Sequence, residues 1–189
     1  IRVGTSGGMQ PYTKTGDLVI AAAAVRDEGT SSHYMPLAYP AVADIDLVCA
    51  LREAAASLKA RYHVGLVHSK DSFYGEVEPY RMPIAHELKA RWHAWVQGGV
   101  VCSEMEAATI FVVSKVLGKR ASGIMLIGGM VPDWVELDKM SSEEREKLFE
   151  KLKEEAEATT LEQLIATAVE GLRVLIRQDR ERQHKSHRD

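Results

Sequence analysis

The residues VVCSEMEAATIFVVSKVL, numbered 100–117, change character halfway. Val100, Val101 and Cys102 form a short apolar run, as at the end of a buried strand. Ala107 to Leu117 is apolar nearly all round, which a helix sustains only at the centre of a domain. Between them lie Ser103, Glu104, Met105 and Glu106, a polar interruption at the carboxyl end of the strand. A strand feeding a helix through so short a link is the building unit of an α/β protein, and open α/β sheets place ligands at such strand ends.

The same alternation extends outward. Ile1 to Val3 reads as a strand running into a loop, Gly4-Thr5-Ser6-Gly7-Gly8. Leu18 to Val25 reads as a strand after the turn Thr15-Gly16-Asp17. Asp44 can cap a helix whose apolar positions Leu47, Val48, Leu51 and Ala55 repeat near 3.6. Val64 to Val67 is a short buried strand, His86 to Val96 a helix, and Ala121 to Ile127 a strand ended by Gly128 and Gly129. Residues 26–40 and 71–83 are rich in turn formers and are expected as loops. Residues 136–157 hold nine acidic and five basic side chains. Ser141 and Glu144 fit a capping box there, which opens a peripheral, mostly solvated helix. A last helix covers Leu161 to Ile176, and the polar residues 178–189 are expected to fray. The pattern predicts one α/β domain over 1–177, a central mixed twisted sheet flanked by helices, followed by a polar tail.

Composition bounds the function. The 189 residues carry 24 Lys and Arg against 27 Asp and Glu, a formal net charge of −3, which lacks the basic excess of a nucleic-acid binder. No apolar run reaches the length of a membrane span. Cys49 and Cys102 form no CxxC, which argues against a zinc ribbon or a disulfide scaffold and suits a reducing, cytoplasmic setting.

Three segments can carry chemistry. Arg2 to Gly8 joins an Arg, two hydroxyls and three glycines, the parts of an oxyanion pocket, although a tight turn after a strand would read the same way. It contains neither GxxxxGK[ST] nor GxGxxG. In Asp71 to Arg81, Phe73 and Tyr74 can stack on a planar ligand and Arg81 can bind a carbonyl oxygen, or the aromatics can simply anchor a loop. Glu104 and Glu106 can chelate two cis hydroxyls of a ribose beside the adaptable Met105, or complement the dipole of the helix that follows.

Taken in order, IRVGTSGG at 1–8, GDLVIAAAAVRDEGTSSHY at 16–34, PAVAD at 40–44, KDSFYG at 70–75 and SEMEAAT at 103–109 resemble the hexameric nucleoside phosphorylase family, and within it the uridine phosphorylases. The resemblance spans about 1–127, with 161–176 similar to the family's last helix. It implies a three-layer sandwich and phosphorolysis of uridine to uracil and ribose 1-phosphate, with phosphate as co-substrate and no organic cofactor or metal. It implies phosphate binding by Arg2 and Thr5, and base and sugar contacts from Ser6 and Gly7. Phe73 would stack on the base and Arg81 would donate to a base carbonyl. Met105 and Glu106, with Glu104 adjacent, would hold the ribose. Arg81 and Glu106 are the residues expected to act in catalysis. A homo-oligomer built from dimers, possibly a hexamer, is implied as well.

Two departures qualify this. Glu76 stands where the family usually has Gln, whose amide can both donate and accept, whereas an ionised Glu only accepts. That leaves open a purine or broad-specificity phosphorylase, or a non-catalytic nucleoside-binding relative. The family's first third supplies more phosphate contacts, an Arg lent to a neighbouring subunit and a His for the ribose 5′-hydroxyl. It lies outside these 189 residues, so the domain is expected to be N-terminally incomplete.

Overall fold

A computed structural model describes residues 1–157 and 160–186. Its strands are β1 (Arg2–Gly8), β2 (Leu18–Asp27), β3 (Ala41–Val42), β4 (Tyr62–Lys70), β5 (Cys102–Glu104) and β6 (Gly123–Met130). Its α-helices are α1 (Ile45–Ser57), α2 (Phe73–Val77), α3 (Ala85–Gln97), α4 (Ala107–Val116), α5 (Trp134–Leu137), α6 (Ser142–Glu157) and α7 (Glu162–Ser186).

The sheet is mixed, in the order β3-β2-β4-β5-β1-β6, and β6 returns to pair with β2. Along one edge, β2 gives Leu18–Ala21 to β6 and Ala23 and Ala24 to β3. Five strands therefore close into a small barrel-like ring, where a three-layer sandwich was expected. The sequence provides the means. Register shifts at Ser6/Gly7 and at Ala21/Ala23 bend β1 and β2. Ala21 meets Gly123 across the closing seam, where little side-chain bulk separates the strands.

The core follows the periodicity. Leu18, Ile20, Leu51, Phe111, Ile124 and Met125 are fully buried. Helices α1 and α4 lie on β2, and α7 packs along α1 and reaches β1 and β6. The Asp44 carboxylate accepts from the Leu47 amide at 3.1 Å, the cap expected for α1. Asp44→Ala is expected to cost about 0.5–2 kcal/mol, read as a lower urea midpoint at unchanged m. An unchanged midpoint would show that the packing of α1 makes its cap redundant.

Several boundaries differ from the sequence reading, for physical reasons. Residues 4–8 are strand, because β6 supplies a parallel partner along their whole length. A Cβ on Gly7 would stand 2.5 Å from Val131 Cγ2, and one on Gly8 would stand 2.5 Å from Met130 Sδ, so these glycines serve close packing. Likewise β6 runs on through Gly128 and Gly129 to Met130. The loop 71–83 contains α2, capped by Ser72 Oγ on the Gly75 amide at 3.0 Å, and a 3-10 turn over Pro79–Arg81. Where fraying was expected after Arg177, α7 continues to Ser186. Ion pairs to the body line it: Arg177–Glu53 at 2.9 Å, Arg120–Asp179 at 2.5 Å and Arg182–Asp46 at 2.6 Å. Residues 187–189 lie outside the described set. No helix among the described residues is long and apolar enough to cross a membrane.

Candidate functional site

A cavity of about 1150 Å³ opens where β1, the ends of β4 and β5, α2 and the segment after β6 converge. Nine of the ten residues singled out from the sequence line it: Arg2, Thr5, Ser6, Gly7, Phe73, Glu76, Glu104, Met105 and Glu106. Arg81 is the tenth and stands elsewhere. It is solvent-exposed, paired with Glu78 and set over the Tyr74 ring at 5.9 Å. None of Pro79–Arg81 lines the cavity, although Glu78, the partner of Arg81, does.

At one end of the cavity, Arg2 lies between two carboxylates. Its Nη2 donates to Glu106 Oε2 at 2.6 Å and its Nε lies 3.3 Å from Glu104 Oε2. Arg2 Nη1 is buried and has no hydrogen-bond partner among the described residues. A cation with a spare donor, next to the exposed Thr5, is what an incoming oxyanion requires. Gly4 leaves the room: a Cβ there would stand 3.0 Å from Arg2 Nη1.

The two acidic residues of SEMEAAT do different things. Glu104 is buried, accepts from the Glu106 and Ala107 amides at 2.9 Å each, and receives the Ser69 hydroxyl. Ser69 Oγ in turn accepts from the Ala108 amide at 2.9 Å. Glu104 and Ser69 thus satisfy the first amides of α4, the dipole-complementing role. Glu106 occupies the position that would cap α4, yet its side chain makes no cap hydrogen bond. Its carboxylate is 54% exposed and projects into the cavity beside Met105. The Ser6 hydroxyl is spent on the Leu126 carbonyl at 3.2 Å, so Ser6 contributes mainly shape. Phe73, half exposed, sits at the rim edge-on to Tyr74.

At the other end lies a buried polar cluster that the sequence reading missed. Lys70 Nζ is 2.5 Å from Glu76 Oε2 and donates to Ser103 Oγ at 2.8 Å, and Ser103 Oγ donates to Glu76 Oε2 at 2.5 Å. His68 Nδ1 lies 3.0 Å from Ser103 Oγ and His68 Nε2 lies 3.0 Å from Asp27, which Arg91 pairs from outside. The signal was present in β4: alternation puts His68 and Lys70 on one face and Ser69 on the other, opposite Ser103 and Glu104 in register. The Trp134 indole donates to the Glu76 carbonyl at 2.7 Å, tying the segment after β6 to α2. Helix α6, expected to be peripheral, also borders the cavity, through Phe149, Leu152 and Lys153. Its capping box forms as read: the Ser141 amide donates to Glu144 at 2.8 Å and the Glu144 amide to Ser141 Oγ at 3.3 Å.

Burial pushes His68 down to about 4, against the pull of the Glu76 and Glu104 carboxylates and with the push of Lys70. The imidazole is therefore neutral in the folded protein, while the unfolded chain takes up a proton near 6.5. The unfolded state then binds more protons, so stability is expected to fall as pH drops from about 6.5 to 4, by about 3 kcal/mol in all. In urea titrations at stepped pH, His68→Asn should flatten that slope; an unchanged slope would assign it to other groups. Burial also pushes the Cys102 thiol up to about 12, which removes it as a nucleophile.

The sequence pattern of the phosphorylase superfamily matches residues 1–169. The chain is 46% identical to a uridine phosphorylase of Treponema pallidum (strain Nichols) over 129 residues, 68% of this chain and 50% of the relative. It is 45% identical to a uridine phosphorylase of Thermococcus kodakarensis over 132 residues, 67% of this chain and 47% of the relative. It is 36% identical to a guanosine phosphorylase of Halorubrum lacusprofundi over 129 residues, 68% of this chain and 49% of the relative. The chain thus spans about half the length of the curated relatives it matches.

Proposed function

The chain belongs to the phosphorylase superfamily, and on that premise we propose that it carries the ribose and base half of a pyrimidine nucleoside phosphorylase, acting on uridine and phosphate. The observation that supports this most is the Arg2–Glu106 pair at 2.6 Å, with Arg2 Nη1 unpartnered among the described residues. It puts an anion-binding cation and a ribose-binding carboxylate side by side, as a reaction between phosphate and an anomeric carbon needs.

In this reading Arg2 and Thr5 hold phosphate, and Glu106 accepts from the ribose 2′ and 3′ hydroxyls over Met105. Glu104 positions Glu106 by fixing its amide. Phe73 covers the base, with Gly7 leaving space beside it. A phosphate oxygen forms the new C–O bond as the C–N bond breaks. The bonding pair leaves with the base, and the proton carried by hydrogen phosphate ends on the base. Positive charge on the ribose ring is stabilised by the phosphate and Glu106, negative charge on the base by donors at the far end of the cavity. No side chain serves as nucleophile and no organic cofactor is called on. We place the reaction in the cytoplasm and in a homo-oligomer, at least a dimer. Light scattering of the natural gene product containing this chain should give a dimer or larger, and a stable monomer at micromolar concentration would contradict that.

A second reading, a phosphorylase of altered base preference, is favoured by Glu76 in place of the family's usual Gln and by the guanosine phosphorylase among the relatives. One assay separates the readings. The natural gene product is given uridine, guanosine or inosine with phosphate, and base release is followed by absorbance. Uridine as the best substrate supports the first reading and a purine nucleoside supports the second. No release from any of the three supports a non-catalytic nucleoside binder.

A further inference from the structure

Glu76 alone is a poor match for a departing base, because a carboxylate only accepts and repels developing negative charge. The structure places a cation against it. Lys70 and Glu76 are both more than nine-tenths buried, and both line the cavity. The Lys70 ammonium has three N–H donors. One goes to Ser103 Oγ and the charge is paired with Glu76 Oε2, which leaves at least one N–H without a hydrogen bond among the described residues. Glu76 Oε2 takes both Lys70 and Ser103, while Oε1 has no hydrogen bond among the described residues. A Cβ built on Gly7 would lie 3.5 Å from that Oε1, so the free oxygen faces the bare backbone expected beside the base.

A free N–H next to a free carboxylate oxygen complements one pattern, a carbonyl oxygen beside a ring N–H. We infer that Lys70 and Glu76 together read this lactam edge of the nucleobase, Lys70 donating to the carbonyl and Glu76 accepting from the ring N–H. Lys70 is thereby the specificity-determining residue in the place first assigned to Arg81. The lactam edge occurs in uracil, thymine and 6-oxopurines. Cytosine and adenine present an amino donor beside a ring acceptor, the reverse pattern, and would leave both members of a buried pair unmatched. As the glycosidic bond breaks and charge spreads onto the carbonyl, the Lys70 contact strengthens, so the pair serves departure as well as selection. Ser103, with His68 and Asp27 behind it, fixes the ammonium and is a positioning residue.

This inference rests on the cavity's being a nucleoside site, and the test separates the two. Binding of uridine, cytidine and 3-methyluridine to the natural gene product is measured by calorimetry without phosphate, for the parent and for the double variant Lys70→Met/Glu76→Gln. Nucleosides are used because the sugar blocks N1, whose N–H beside the 2-carbonyl would give every free pyrimidine a second lactam edge. The double variant removes both charges at nearly constant volume, which buried pairs often tolerate. The parent is expected to bind uridine at least about a hundredfold more tightly than cytidine or 3-methyluridine, whose methyl group replaces the ring N–H. In the double variant the uridine–cytidine ratio should fall below about ten. Should the double variant not fold, the 3-methyluridine comparison on the parent decides alone. Parental preference kept in the folded double variant, or 3-methyluridine bound as well as uridine, overturns the Lys70–Glu76 assignment while uridine phosphorolysis can stand. A pair-dependent preference without phosphorolysis overturns the activity and upholds the assignment. Binding of none of the three nucleosides overturns both.

Discussion

Glu106→Gln is expected to lower kcat/KM for uridine by roughly ten- to a hundredfold, the loss anticipated when charged hydrogen bonds of about 1.5–3 kcal/mol are removed. The melting temperature should stay within a few degrees of the parent. Two roles were open for this carboxylate, a ribose clamp and a complement to the dipole of α4. The structure gives the second to Glu104, whose Oε2 receives the Glu106 and Ala107 amides, and leaves the Glu106 carboxylate in the cavity on Arg2. A Gln keeps the size but turns one of two acceptors into a donor. A 2′-deoxynucleoside already lacks one hydroxyl, so the variant's loss on 2′-deoxyuridine should be smaller, the non-additivity that direct contact produces. Equal losses on both substrates would remove Glu106 from the 2′-hydroxyl. A large fall in stability with little kinetic change would return it to a structural role.

Lys70→Met alone is expected to cost about 3–5 kcal/mol of stability, because the Glu76 carboxylate is left buried with Ser103 as its one side-chain hydrogen-bond partner among the described residues. Adding Glu76→Gln should recover most of that cost, since the remaining groups are neutral and can hydrogen-bond. Urea unfolding of the parent, both single variants and the double variant forms a cycle, and the coupling should be at least about 2 kcal/mol. Additive effects would mean that the 2.5 Å contact contributes no more than an exposed pair.

The parts legible in the sequence were those set by local pattern. The cap at Asp44, the mostly apolar α4 and the capping box at Ser141 each follow from short-range chemistry, and each forms where it was read. Nine of the candidate site residues converge on one cavity because strand ends and glycine-rich segments mark places where backbone and ligand can approach. What remained hidden depends on residues distant in sequence. The closure of β6 onto β2 joins Leu18 to Leu126, which no local period encodes. Lys70 meets Ser103 across 33 residues of chain, a contact that the KDSFYG stretch does not encode, and the sequence reading gave Lys70 no role. Arg81 looked suited to a carbonyl, but the 3-10 turn begun by Pro79 sets it on Glu78 and Tyr74. The extension of α7 rests on ion pairs with α1 and Arg120 that a frayed-tail reading cannot anticipate.

In the proposed reaction Arg2 and Glu106 bring phosphate and the ribose of a nucleoside into one cavity for direct exchange at the anomeric carbon. Phosphorus NMR of the natural gene product with uridine and inorganic phosphate tests this most directly. One ribose 1-phosphate signal is expected to grow as phosphate is consumed, in a one-to-one ratio with uracil, and no uracil is expected without phosphate. Uracil released at the same rate in phosphate-free buffer, with free ribose as the second product, would contradict it.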